Sequence, residues 1–287
     1  MSKCLLCPRK CGVDRDKEKG FCGSNNDLII NKYMLHFWEE PIISGKNGSG
    51  AIFFSNCSLK CKYCQNYKIS SLGYGEKYMI EDLVDIMKEL ESLGAENINF
   101  VSPTHYTEHI IKALNIYRPS VPIVWNTSGY ETKETIEKLK DYVDIYLTDF
   151  KYFDSGISNK YSLAKDYFDY TSTAIRQMIE NQPENIIENG IMKKGVIIRH
   201  LVLPNNVNDS KRVFDYIKEA YGTDVYISLM GQYVPYYKAL EDVSINRRLK
   251  PLEYKVVANH ILKLGFHNGF FQDLDSAKEC YTPEFKK

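Results

Sequence analysis

The stretch FFSNCSLKCKYCQNY, residues 53–67, places three thiols, Cys57, Cys61 and Cys64, directly behind a short apolar run. AIFFS at 51–55 is β-branched and aromatic, so it reads as a strand, and the cysteines fall on the loop at its carboxyl end. Structural zinc and ordinary iron–sulfur clusters take four protein ligands, so three thiols are one short. Spaced C-x3-C-x2-C, they can hold three irons of a cubane and leave the fourth with an open coordination position, the mark of a reactive centre. The competing reading is a zinc site completed by a remote residue such as His36, His105 or Cys280.

Outward from that strand the same kind of run recurs at NINFV (97–101), PIVWN (122–126), DIYLT (144–148), GVIIRHLVL (195–203) and DVYISLM (224–230). Between these runs, helical periodicity appears at 80–93, 106–117, 132–140, 167–182, 208–221 and 251–264. In the first of them Ile80, Leu83, Val84, Met87, Leu90 and Leu93 recur at spacings of three and four, with Gly94 placed to end the helix. Strand and helix in alternation predict parallel β/α units, which right-handed crossovers wind into a partial (β/α)6-type barrel; an open doubly wound sheet is the competitor. Both architectures collect chemistry at the carboxyl ends of their strands. Polar segments stand there: SPTHY from 102, NTSGY from 126, DFK from 149, RHLVLPNN from 199 and GQYVPYY from 231.

Composition narrows the class. The 287 residues are 44% hydrophobic and 26% charged, which supports a folded globular chain and argues against disorder. Lys+Arg and Asp+Glu balance at 37 each, so net charge gives no reason to expect nucleic acid as a partner. No apolar h-region opens the sequence and no run of about 18 apolar residues follows, so the expectation is a cytoplasmic protein without a membrane partner.

Seven of the eight cysteines lie within the first 64 residues, in two tight clusters. Disulfide frameworks are spread through small secreted folds, whereas clustered thiols in a reducing compartment bind metal. In CLLCPRKCGVDRDKEKGFCG (4–23), Cys4, Cys7, Cys11 and Cys22 are separated by two, three and ten residues. Four thiolates suit a closed tetrahedral zinc or an auxiliary iron–sulfur cluster. The Pro and Gly turns beside them, and the lack of a ferredoxin-type C-x2-C-x2-C run, lean toward zinc. Residues 1–30 are therefore expected to form a cysteine-rich metal-binding module, and 31–287 the catalytic domain. Lys3, Arg9, Lys10, Arg15, Lys17 and Lys19 read as a solvated surface offset by Asp14, Asp16 and Glu18. Cys280 reads as an incidental thiol.

The C-x3-C-x2-C spacing, with Tyr63 before its last cysteine and its place behind the first strand of a β/α chain, resembles the radical S-adenosylmethionine (SAM) superfamily. The likeness extends over 30–285 and is strongest to proteins related to the pyruvate formate-lyase activating enzyme. EEPIISGKNGSGAIFFSNCSLKCKYCQNY (39–67) is similar to a branch that shares the cysteine-rich head. The resemblance implies a [4Fe-4S] cluster on Cys57, Cys61 and Cys64, with the amino and carboxylate groups of SAM on the fourth iron. Reductive cleavage then yields methionine and a 5′-deoxyadenosyl radical that abstracts a hydrogen atom.

Further positions follow from the same resemblance. Backbone around Tyr63 would lie near the adenine. VSPTH stands where activases carry Gly-Gly-Glu, so Ser102, Thr104 and His105 would replace contacts to the SAM amino group. WNTSG resembles the Asp-Thr-Asn-Gly segment at the ribose and methionine end, with Thr127 retained and Asn126 where an acid stands in activases. LTDFK resembles Leu-Asp-Leu-Lys and supplies Asp149 and Lys151. The lost acid weakens the case for the monovalent cation that activases hold there. Arg199 matches the arginine that neutralises the SAM carboxylate, and His200, one residue on, points to the opposite face. A protein substrate is implied, a glycyl-radical enzyme among the candidates, with flavodoxin or ferredoxin as reductant. The alternatives are radical modification of another peptide, an RNA or a small molecule, and, outside enzymes, a structural zinc module.

Overall fold

All six expected strands and all six expected helices form in the computed structural model, which describes residues 3–272 and 283–287. Cys280 lies outside the described residues. The strands are β1 (Leu28–His36), β2 (Ser49–Phe54), β3 (Glu76–Tyr78), β4 (Ile98–Val101), β5 (Ile123–Thr127), β6 (Ile145–Asp149), β7 (Ile186–Glu188), β8 (Ile191–Leu201), β9 (Tyr226–Met230) and β10 (Gly269–Phe271). The helices are α1 (Pro41–Ser44), α2 (Tyr67–Ser70), α3 (Ile80–Ser92), α4 (Thr107–Ile116), α5 (Lys133–Lys138), α6 (Ser155–Ser162), α7 (Tyr167–Asn181), α8 (Val207–Tyr221) and α9 (Pro251–Leu264).

The sheet runs β10-β9-β8-β6-β5-β4-β2-β1-β3, with β7 pairing β8 alone. From β2 to β10 every neighbour is parallel, while β1 and β3 join antiparallel at one edge. The path has two ends, so the sheet stays open, as a partial barrel does. Ile52, Phe54, Phe100, Trp125 and Tyr146 on the strands meet Leu83, Met87, Ile110, Ile175, Phe214 and Ile261 on the helices, all with essentially no exposed surface. Burial of each such side chain is worth about 1.5–3 kcal/mol. No helix among the described residues is long and apolar enough to cross a membrane.

β1 begins at Leu28, close to the expected end of the head at residue 30. One expectation about the head needs correction. Arg9 and Arg15 are not a solvated surface: each is half-buried and hydrogen-bonds at least one carbonyl of the main body. Arg9 donates to Ser58 at 3.0 Å and to Ser162 at 3.3 Å, and lies over the Phe21 ring. Arg15 donates to the His105 and Asn25 carbonyls. A guanidinium with five donors satisfies several loop carbonyls at once, which turns the head's charge inward. The Cys22 carbonyl completes the contact, accepting from the Cys57 N–H at 3.4 Å and from Lys60 Nζ at 3.0 Å.

Candidate functional site

The carboxyl ends of the parallel strands open onto a cavity of about 220 Å³. Its walls include Cys57, Cys61, Tyr63 and Cys64 after β2, Ser102 after β4, Asn126 and Thr127 on β5, Asp149 and Lys151 at the end of β6, and Arg199 on β8. Tyr233 and Tyr236, from the segment after β9, and Glu39, just ahead of α1, complete this set. The parallel register sets Asp149 directly opposite Arg199, so two strands deliver an ion pair without any loop rearrangement.

Arg199 is held by three acceptors. Its Nε donates to Asp149 Oδ1 at 2.9 Å, one terminal nitrogen to Glu39 Oε2 at 3.2 Å, and the other to Asn126 Oδ1 at 2.7 Å. Glu39 Oε1 in turn accepts from Asn99 at 3.2 Å and Asn126 at 3.0 Å, which fixes the Asn126 amide. Lys151 pairs with the second oxygen of Asp149. The side chains of Arg199, Glu39, Asp149 and Lys151 are only 11–16% exposed, so solvent screens these pairs weakly. Burial pushes Asp149 up, yet Arg199 and Lys151 outweigh it and hold the carboxyl below its ordinary range. Burial lifts both Glu39 and its neighbour Glu40. Glu40 is buried with one carboxylate oxygen lacking any protein partner. Glu39 and Asp149 thus meet Arg199 on the cavity wall, and Glu40 is not among the wall residues.

The cysteine loop is equally shielded. Burial pushes the Cys57 thiol up to about 12 and Cys61 to about 11, and raises Cys64 as well, so without metal they stay protonated. Ser162 stands 2.9 Å from the Cys61 sulfur and Ser70 stands 3.2 Å from that of Cys64. Among the described residues no three His, Cys, Asp or Glu gather as the ligands of one metal ion. A four-iron cluster takes each thiolate on a different iron and needs no such convergence, so three thiols on one cavity wall beside hydroxyl donors fit it. In the head, Cys7 and Cys22 are buried, Cys4 is half-buried and Cys11 exposed. The sulfurs of Cys11 and Cys22 both approach Gly20.

Two predicted contacts are turned elsewhere. His105 and Thr104 are not among the cavity walls. His105 Nε2 bonds the Ser55 carbonyl at 2.8 Å, and burial pushes its imidazole down to about 3, so it braces the start of the cysteine loop as a neutral ring. Thr104 donates to Glu131 Oε1 at 2.7 Å, joined there by Thr127 at 2.6 Å and the Trp125 indole at 3.3 Å. Burial lifts Glu131 to about 7. His200 is bonded to Phe150 and Ser210 in the core, on the face away from the cavity, as strand alternation requires. Sequence reasoning missed Glu39 and Glu40; their only signal is a pair of acids before Pro41, the first residue of α1.

A family model described as the Radical SAM superfamily matches residues 51–217. An uncharacterized protein of Methanocaldococcus jannaschii, MJ0674, is 34% identical over 258 residues, 86% of this chain and 70% of that protein. Among solved structures, SuiB of Streptococcus suis bound to S-adenosylmethionine aligns with a TM-score of 0.52 at 15% identity, covering 77% of this chain and 49% of that one. SuiB bound to precursor peptide SuiA aligns with a TM-score of 0.52 at 14% identity, covering 77% and 48%. At such identity the likeness is one of fold, and the chain spans about half the length of SuiB.

Proposed function

The chain belongs to the radical SAM superfamily, and on that premise we propose that it is an enzyme that cleaves SAM reductively and uses the 5′-deoxyadenosyl radical to abstract hydrogen. The observation that carries this reading is the composition of the cavity wall: the three thiols Cys57, Cys61 and Cys64 share it with Arg199, Asp149 and Lys151 at the strand ends. SAM, with a sulfonium, an ammonium and one carboxylate, offers opposite charges to both the buried guanidinium and the buried acids.

A [4Fe-4S] cluster on Cys57, Cys61 and Cys64 would supply the single electron that breaks the sulfonium C–S bond. The chain's own groups do the rest. Arg199 meets the SAM carboxylate while Glu39 and Asp149 hold its fork in place. Ser102 and Asn126 offer hydrogen-bonding groups along the cavity wall, Thr127 turns its hydroxyl to Glu131 and contributes to the wall by its position at the end of β5, Lys151 steadies Asp149, and Tyr63 brings its backbone to the adenine. Thr104 and His105 support this wall from behind.

For the substrate we favour a peptide or protein, since the fold is shared with SuiB, whose structure holds a precursor peptide. A glycyl-radical protein is one such substrate, and a doublet EPR signal after incubation with it would identify that case. A small protein donor of the flavodoxin or ferredoxin kind fits as reductant. For the head, residues 1–30, we propose a metal group on Cys4, Cys7, Cys11 and Cys22. Their spacing leans toward zinc, with an auxiliary iron–sulfur cluster as the alternative.

Metal counting tests the site assignment. Anaerobically reconstituted protein should lose about four irons when Cys57, Cys61 and Cys64 are all changed to Ala. Retention of every iron in that variant would overturn the assignment. Iron falling from about eight to about four would place a second cluster in the head, whereas about one residual zinc would return it to a structural knuckle.

A further inference from the structure

A file of buried hydroxyls runs from the cavity wall to one of the cluster thiols. Tyr63 Oη lies 2.5 Å from Tyr152 Oη, Tyr152 Oη lies 2.7 Å from Ser162 Oγ, and Ser162 Oγ lies 2.9 Å from Cys61 Sγ. Tyr63, Tyr152 and Ser162 are 7%, 1% and 0% exposed, so water does not compete for these bonds. Each hydroxyl can donate or accept, and with a free thiol the file has no fixed direction. A metal-bound thiolate has no proton and can only accept. That one constraint orients the whole file: Ser162 must donate to Cys61, Tyr152 to Ser162, and Tyr63 to Tyr152.

We propose that Ser162, oriented by Tyr152 and Tyr63, is a positioning residue that sets the reduction potential at the cysteine triplet through Cys61. The inference rests on the triplet holding an iron–sulfur cluster, as proposed above. Hydrogen bonds to cluster sulfurs stabilise the more negative, reduced form and so raise the potential. Donors in a file polarise one another, which makes the effect of Tyr152 and Tyr63 an indirect one that fades with distance from the sulfur.

The geometry also explains how the donor is kept in place. Ser162 is the last residue of α6, and the helix stops at Leu163, whose backbone is left-handed at φ +53°. Arg9 of the head donates to the carbonyls of Ser162 and Leu163 and, with the same guanidinium, to Ser58 in the cysteine loop. One side chain thus ties the donor's segment to the acceptor's loop. Cys64 has its own hydroxyl, Ser70, which reaches it from α2 without any such relay.

The test is an EPR-monitored redox titration of the reconstituted full chain, with iron counted in every sample. Ser162→Ala, which removes one oxygen and leaves the packing, should shift the one-electron equilibrium toward the oxidised form by about three- to tenfold, the upper end being ~59 mV. Tyr152→Phe should shift it the same way by less, and Tyr63→Phe by less again. Unchanged potentials in Ser162→Ala and Tyr152→Phe at full iron content would overturn the proposal, as would equal shifts in all three variants. If Ser162→Ala fails to retain iron, Tyr152→Phe decides alone: a lowered potential supports the file and an unchanged one overturns it. Wild-type protein that holds no cluster would instead defeat the reading of the triplet, a failure the iron count separates from that of the hydroxyl file.

Discussion

Arg199→Met should destabilise the protein by about 3–5 kcal/mol, the usual consequence of removing one partner from a buried ion pair. The side chain is 13% exposed and satisfies Asp149, Glu39 and Asn126 together, so its loss leaves Glu39 without a counter-charge and Asp149 with Lys151 alone. Denaturant unfolding under anaerobic conditions would show the loss as a lower midpoint. The sign with pH can be worked out from Asp149. Its carboxyl is held below the ordinary value in the folded wild type, so that stabilisation is present above the unfolded pKa and disappears as pH falls through the folded one. The variant should therefore differ most from wild type near neutrality and approach it in acid. A variant as stable as wild type at neutral pH would mean that the three acceptors do not depend on the guanidinium.

Gly129→Ala should be at least as damaging, near 3 kcal/mol or above, since overpacking and left-handed strain act together. Gly129 sits in the NTSG turn at φ +77°, a conformation that L side chains rarely take. A Cβ added there would collide with the Asp149 carbonyl oxygen and crowd Thr171, at 2.9 Å from its methyl. Backbone cannot rotate away as a flexible side chain does, so either β5's turn or the end of β6 must move. Both carry site residues, Asn126 and Thr127 on one and Asp149 on the other, and SAM affinity should fall with stability. Thermal unfolding beside SAM binding by calorimetry would check this; a variant that melts and binds like wild type would show that the turn has room to shift.

The parallel scaffold was legible because its signals are local. AIFFS, NINFV, PIVWN and DIYLT are apolar runs of strand length, each followed by the polar residues that the fold gathers at one end. The α3 stripe of Leu83, Val84, Met87 and Leu90 is buried as its spacing requires. Elements without such a signature escaped. The three-residue strands β3 and β10 are too short for periodicity, and β1 mixes buried and half-buried positions without clean alternation. SGISNKYS carries no apolar stripe, yet it folds as α6 and delivers Ser162 to the cysteine loop.

At the site, strand ends gave the neighbourhood but not the direction of each side chain. Ser102, Asn126, Asp149, Lys151 and Arg199 face the cavity, whereas Thr127 turns its hydroxyl to Glu131 and the 3-10 turn over Thr104–Tyr106 rolls Thr104 and His105 away toward Glu131 and Ser55. Glu39 reaches Arg199 across 160 positions in sequence, a meeting that no local pattern encodes. Arg9 and Arg15 show the converse: their charge pattern suggested solvent, and only the packed loops reveal carbonyls waiting for a fork of donors.

The decisive measurement is product formation from SAM. Reconstituted protein, reduced under anaerobic conditions and given SAM alone, should release 5′-deoxyadenosine and methionine in equal amounts, and the Cys57, Cys61 and Cys64 triple variant should release neither. Intact SAM in the presence of wild-type protein with about four irons in its reduced cluster would contradict radical chemistry at this site.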